Sequence, residues 1–182
     1  MDRALIDLPP CEAPLVLPWP EAGAPGGLVT FEDAASWRDV VAGRSPSPFV
    51  PAMVGIKYAR AQKLYLLGWI DTDLIEAGDL VALTAIELAV TDRYGHLFPK
   101  RRRSLSVPLR HMVEGDGLTD AAIPMVVRCG RTAIGRLTGD TEPTLARRRN
   151  QAAHGDPFNG MPVGGLLELV RDMIAEAAER VR

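Results

Sequence analysis

The stretch "RRRNQAAHGDPF", Arg147 to Phe158, holds the residue types that displacement at phosphorus needs. Histidine titrates near neutral pH, so His154 can take a proton in one step and return it in another. Arginine offers a fixed fork of donors to phosphate oxygens on which charge builds. Arg149 lies five positions before His154, and Asn150 four. Asn150 therefore shares a helical face with His154 and can orient its imidazole. In this reading His154 is the acid/base, Arg149 the phosphate clamp and Asn150 the orienting amide. One conflict stands. Positions five apart sit about 140° apart around a straight helix. Arg147, seven before His154, lies almost on its face and is the geometric alternative for the clamp. Either the helix unwinds near Gly155, or a second subunit supplies half of the site. The plainer reading makes His154 a helix C-terminal histidine favoured by the helix dipole, and the arginines a solvated face. That plainer reading suits Arg148 best; otherwise Arg148 is a further phosphate contact.

Two further groups bear on the same chemistry. Glu87 belongs to a polar stripe, Thr84, Glu87, Thr91 and Tyr94, on an otherwise apolar helix. It either faces solvent or approaches the cleft and tunes His154 as an acidic neighbour. The run Lys100, Arg101, Arg102, Arg103 is either a solvated loop or a contact to RNA phosphates that weakens with salt. His96 and His111 have no partner at a telling spacing and are read as structural.

These residues need elements to hold them. Residues 1–52 form a proline-rich extension, with "LPPCEAPLVLPWPEAGAPGG" and "RSPSPFVP" irregular or extended. A helix capped by Thr30 interrupts it, with Glu32 and Asp33 in its first turn and Gly43 at its end. Trp19, Phe31, Trp37 and Phe49 suit an arm packed on the body. Residues 53–182 read as helix after helix. One closes at Gly68. The next, from Asp71 or Thr72 to Gly95, is apolar nearly all round, as suits a bundle centre or a buried dimer face. Ser106 caps a short helix with Pro108 in its first turn. A helix from Thr119 or Asp120 carries Ile123, Val126, Val127, Gly130, Ile134 and Leu137 on one stripe. Thr141 to Pro143 opens the helix that ends at Gly155. Leu166, Val170, Met173, Ala177 and Val181 line the last. No alternating strand stands out. The expected fold is all-α, a bundle of about four or five helices.

This order resembles the HEPN superfamily of small helical domains. The resemblance rests on "TAIELAV" in a long apolar helix, on "LRHMVEGDG" as a short helix and glycine turn, and on "RNQAAHG" before a closing amphipathic helix. It covers roughly residues 55–182 and leaves out the extension. It implies metal-independent RNA cleavage, with no cofactor, by 2'-hydroxyl attack. The products carry a 2',3'-cyclic phosphate and a 5'-hydroxyl, and DNA survives. It also implies a homodimer whose motifs face one cleft, and a role as a toxin or phage-defence nuclease with an antitoxin or defence-system partner. Some members carry a tyrosine two residues after the histidine, which a nucleotidyltransferase antitoxin modifies. Here Asp156 stands at that position and no tyrosine follows. The resemblance therefore does not extend to that mode of silencing. The alternative is a catalytically silent helical module that binds a protein or nucleotide.

Composition sets outer limits. With 47% apolar residues a sizeable core is available. The formal charge of -2 excludes a global basic field, so attraction to RNA must be local. Eighteen of the 21 basic residues are arginine, beside many alanines, glycines and prolines, which suits GC-rich coding. Cys11 and Cys129 are far apart and form no zinc-ligand spacing. "MDRALIDLPP" lacks the apolar run of a signal peptide, and no membrane span is legible, so the cytoplasm is the expected compartment. No glycine-rich phosphate loop or nucleophile elbow appears.

Overall fold

A computed structural model describes residues 14–24, 26–99, 104–155 and 164–179. Among these, eight α-helices and one two-stranded sheet make up the regular structure. Helix α3, Asp73–Tyr94, is the hub: α2 (Ala52–Leu67), α4 (Ser106–Glu114), α7 (Leu145–His154) and α8 (Leu166–Glu179) all pack on it. Its apolar circumference is thus used within one chain. No helix among the described residues is long and apolar enough to cross a membrane.

The extension is more regular than its prolines suggest. Strands β1 (Leu15–Pro18) and β2 (Leu28–Phe31) pair antiparallel, with Leu15 opposite Phe31 and Pro18 opposite Leu28. A two-stranded sheet has only edges, which is where a strand proline is tolerated. Leu15 and Leu17 face the core, whereas Val16 is 49% exposed. Since Val16 is itself apolar, the period-2 pattern does not show in the letters. β2 also takes Thr30 and Phe31 away from the following helix. Helix α1, Ala34–Ala42, is capped instead by Asp33, whose Oδ1 accepts from the Ser36 amide at 2.7 Å. Trp19, Phe31 and Trp37 are buried together with Tyr65, with Trp19 and Trp37 edge to face at 5.6 Å. The Trp37 indole donates to the Tyr65 carbonyl at 2.8 Å. Phe49 stays outside this cluster and is exposed.

The single helix expected from residue 119 onward is three pieces. A 3-10 turn covers Asp120–Ala122, α5 covers Pro124–Cys129 and α6 covers Ile134–Thr138. Gly130, at φ +74°, ends α5 in the left-handed conformation. Asp120 then reaches across: its carboxylate accepts from the Thr132 hydroxyl at 2.6 Å and from the amides of Ala133 and Ile134 at 2.7 and 3.2 Å. Those are the orphan donors at the start of α6. Val127, expected on the inner stripe, is 63% exposed. Pro124 sits in the first turn of α5, where a missing amide costs nothing. Ser106 is the first residue of α4 rather than its cap; Leu105 holds that position.

Helix α8 is buried nearly all round, beyond the apolar face read from its sequence. Its buried charges are answered. Glu168 Oε2 takes Arg128 at 2.7 Å and Arg44 at 3.3 Å. Asp172 accepts the Met125 amide at 2.7 Å and pairs with Arg171 at 2.6 Å. Burial raises the Asp172 carboxyl above the usual aspartate value.

Candidate active site

Helix α7 carries the quoted stretch, and both its ends are fixed locally. Thr144 is the cap, and its hydroxyl accepts from the Arg147 amide at 3.0 Å. Gly155, at φ +66°, closes the other end in a conformation that side chains disfavour. The helix is continuous through His154, so it does not unwind to bring Arg149 and His154 onto one face. They remain about 140° apart around the axis. Leu145, fully buried, pins the inner face, and Arg148 and Arg149 leave the helix on either side of it. Arg147, Asn150 and His154 lie on the outer face, and all three are exposed.

The three arginines therefore have three environments. Arg149 turns toward α3. Its Nε donates to Glu87 Oε2 at 3.0 Å, and its Nη2 lies 2.8 Å from the same oxygen. Its Nη1 donates to Asn150 Oδ1 at 3.3 Å. Glu87 is thus the anchor of Arg149, and the Asn150 amide oxygen is turned to that arginine. Arg147 lies on the solvent side, with Nη1 3.6 Å from Glu142 in an exposed pair. Arg148 goes inward and is half-buried toward Arg136. Burial, then the like charge of Arg136, holds its guanidinium below the usual arginine value. Lys100, Arg101, Arg102 and Arg103 lie outside the described residues.

Such an arrangement can grip a phosphate. Arg149 is held on one edge by a carboxylate and at one Nη1 proton by an amide oxygen, which leaves other Nη protons for a phosphate oxygen. An arginine held this way loses little side-chain freedom when it binds. His154, exposed at the helix end, is open to a substrate from solvent. Neither family models, nor curated proteins, nor solved structures match this chain.

A second polar cluster was not legible in the sequence. His111, on α4, places Nε2 3.9 Å from Asp116 Oδ1 and stands edge-on to Tyr94 and Phe98. Asp116 Oδ2 accepts from the Tyr94 hydroxyl at 2.7 Å and from Arg93 at 3.1 Å. Those two donors hold the Asp116 carboxyl below the usual aspartate value. Burial and the bond to Asp116 push the Tyr94 hydroxyl up to about 12. His96 and Asp92 line the same open hollow. The pairing joins the end of α3 to the turn after α4, a contact no local spacing announces. Tyr94, placed by the sequence on a polar stripe with Glu87, is buried against α4 while Glu87 turns to α7.

Proposed function

We propose that the chain is a HEPN-like, metal-independent endoribonuclease. The carrying observation is the state of Arg149: Glu87 from α3 and the adjacent Asn150 hold it, on a capped helix that ends on an exposed histidine. Arg149 clamps the scissile phosphate. His154 takes the 2'-hydroxyl proton or supplies one to the departing 5'-oxygen. The 2'-oxygen forms the new bond to phosphorus as the bond to the 5'-oxygen breaks, so the products are a 2',3'-cyclic phosphate and a 5'-hydroxyl. Arg147, on the face of His154, is a second phosphate contact.

An intact helix keeps Arg149 and His154 on different faces, which supports a cleft built from two copies of the chain. His154 of one copy then faces the phosphate held by the other. RNA is the substrate, and an antitoxin or defence-system partner restrains the enzyme.

One observation favours the silent-module reading: the Arg149 charge is already met by Glu87. The test is cleavage of labelled single-stranded RNA and tRNA in EDTA, beside the same strands with 2'-O-methyl groups. The nuclease reading expects fragments with cyclic phosphate ends from RNA only. Intact RNA across varied substrates assigns the module reading.

A further inference from the structure

Five arginines that turn inward among the described residues are answered by carboxylates. Arg44 and Arg128 meet Glu168, Arg171 meets Asp172, Arg93 meets Asp116 and Arg149 meets Glu87. Arg148 breaks that pattern. It is half-buried, its Nε is sealed without a hydrogen-bond partner as are those of Arg38, Arg44 and Arg93, and unlike Arg44 and Arg93 it has no ion pair with a carboxylate among the described residues. The carboxylate that attracts it from α3, Asp79, is bonded to the Tyr65 hydroxyl. A guanidinium withdrawn from water without an anion is costly. Here the like charge of Arg136 adds to the cost.

That cleft lies between α5, α6, α7 and the start of α8. Arg131, Arg136 and Arg148 line it, and no ion pair joins any of them to a carboxylate among the described residues. Its floor is apolar, with Val126, Leu145 and Leu166 all buried. Its volume is about 70 Å³. That space suits a single tetrahedral oxyanion. Arg136 and Arg148 bring like charges together at the cleft, and their forks match phosphate oxygens.

We propose that this cleft binds a terminal phosphate group, a phosphate monoester or inorganic phosphate dianion, through Arg136 and Arg148, with the exposed Arg131 at its edge. The site is separate from the Arg149 and His154 surface and requires no cleavage there. It leaves the helix on the opposite side of Leu145 from Glu87, so ligand bound in it braces α7 from behind. The phosphate comes either from a small molecule or from the 5' end of an RNA strand.

The experiment titrates the full-length chain by calorimetry at constant ionic strength. One arm uses inorganic phosphate. The other uses a 2'-O-methyl oligonucleotide with or without a 5'-phosphate, which removes cleavage from the readout. Saturable binding is expected, weakened at least tenfold by Arg136→Gln and by Arg148→Met. If inorganic phosphate binds as tightly as the phosphorylated strand, the source is a small molecule. If the 5'-phosphate tightens strand binding tenfold or more, and Arg148→Met removes that gain, the source is an RNA end. Arg148→Met also removes an unanswered charge, so its melting temperature without phosphate is expected to equal or exceed that of the parent. Arg136→Gln reads the same site should Arg148→Met fail to fold. Absence of saturable phosphate binding in both arms overturns the proposal. So does binding that survives both substitutions, or binding that Arg147→Gln abolishes instead, since that places phosphate on the outer face.

Discussion

At the scale of single residues, three adjacent arginines in one short helix do three different things. Arg147 faces solvent, Arg148 an arginine-lined cleft, and Arg149 a glutamate from another helix. The sequence shows the arginines and their spacing to His154, and it shows Glu87 on a polar stripe. It does not show that Glu87 meets Arg149, because the pair spans 62 positions and depends on how α3 and α7 pack. Glu87→Gln tests what that pair does. If Glu87 positions the clamp, the loosened guanidinium lowers kcat by about ten- to a hundredfold with a smaller change in KM. Stability falls by no more than about 1 kcal/mol, since both partners are partly exposed. Unchanged kcat in steady-state cleavage assays contradicts a positioning role. Asp116 gives a residue-scale prediction free of catalysis. Its carboxyl is held below the usual value in the fold by Tyr94 and Arg93, so the unfolded chain binds a proton more readily. Its contribution is therefore present above the unfolded pKa of about 4 and lost as pH falls through the lower folded value. Asp116→Asn is expected to cost about 1–2 kcal/mol at pH 7 and much less near pH 2. Urea melts at the two pH values check this; an equal difference at both contradicts it.

At the scale of elements, the legible helices are those whose ends are written locally. Helix α3 stops at Gly95, α2 at Gly68 and α7 at Gly155, as their letters suggest. The β-hairpin and the broken α5–α6 region are the ones that escape. The hairpin escapes because an exposed apolar Val16 hides the alternation. The break escapes because Asp120 caps α6 from 13 and 14 positions away, which no window of sequence contains. Helix α7 matters most, and its ends can be tested singly. Thr144→Ala removes the hydroxyl that accepts from the Arg147 amide and is expected to cost about 1 kcal/mol. Gly155→Ala strains a left-handed residue in otherwise open space and is expected to cost about 1 kcal/mol as well. Cleavage separates them. Thr144 lies at the far end of the helix from His154, so Thr144→Ala keeps near-normal activity, whereas Gly155→Ala disturbs the turn that sets His154 and loses more. Equal losses from both variants contradict the placement of the acid/base at that end.

At the scale of the whole molecule, the apolar α3 does not argue for a dimer, because its neighbours within the chain cover it. Helix α7 is what favours two copies, because its continuity keeps Arg149 and His154 on different faces. A composite cleft makes a specific prediction for mixtures. His154→Ala and Arg149→Ala are each inactive alone. Mixed and allowed to exchange, they form dimers in which one copy supplies an intact arginine and the other an intact histidine, and cleavage returns. Sedimentation of the same samples is expected to show a dimer. A mixture as inert as its parts, with dimers present, contradicts the shared cleft.

Whether residues 147–154 cut RNA is read out by one panel of variants. Purified protein is incubated with labelled single-stranded RNA and tRNA in EDTA, as the parent and as His154→Ala, Arg149→Ala and Arg147→Ala. The account predicts cleavage by the parent, loss of at least about a hundredfold in His154→Ala and Arg149→Ala, and a smaller loss in Arg147→Ala. Cleavage by His154→Ala at the parental rate contradicts the account, as does a parent as inert as its His154→Ala variant on every RNA while both stay folded.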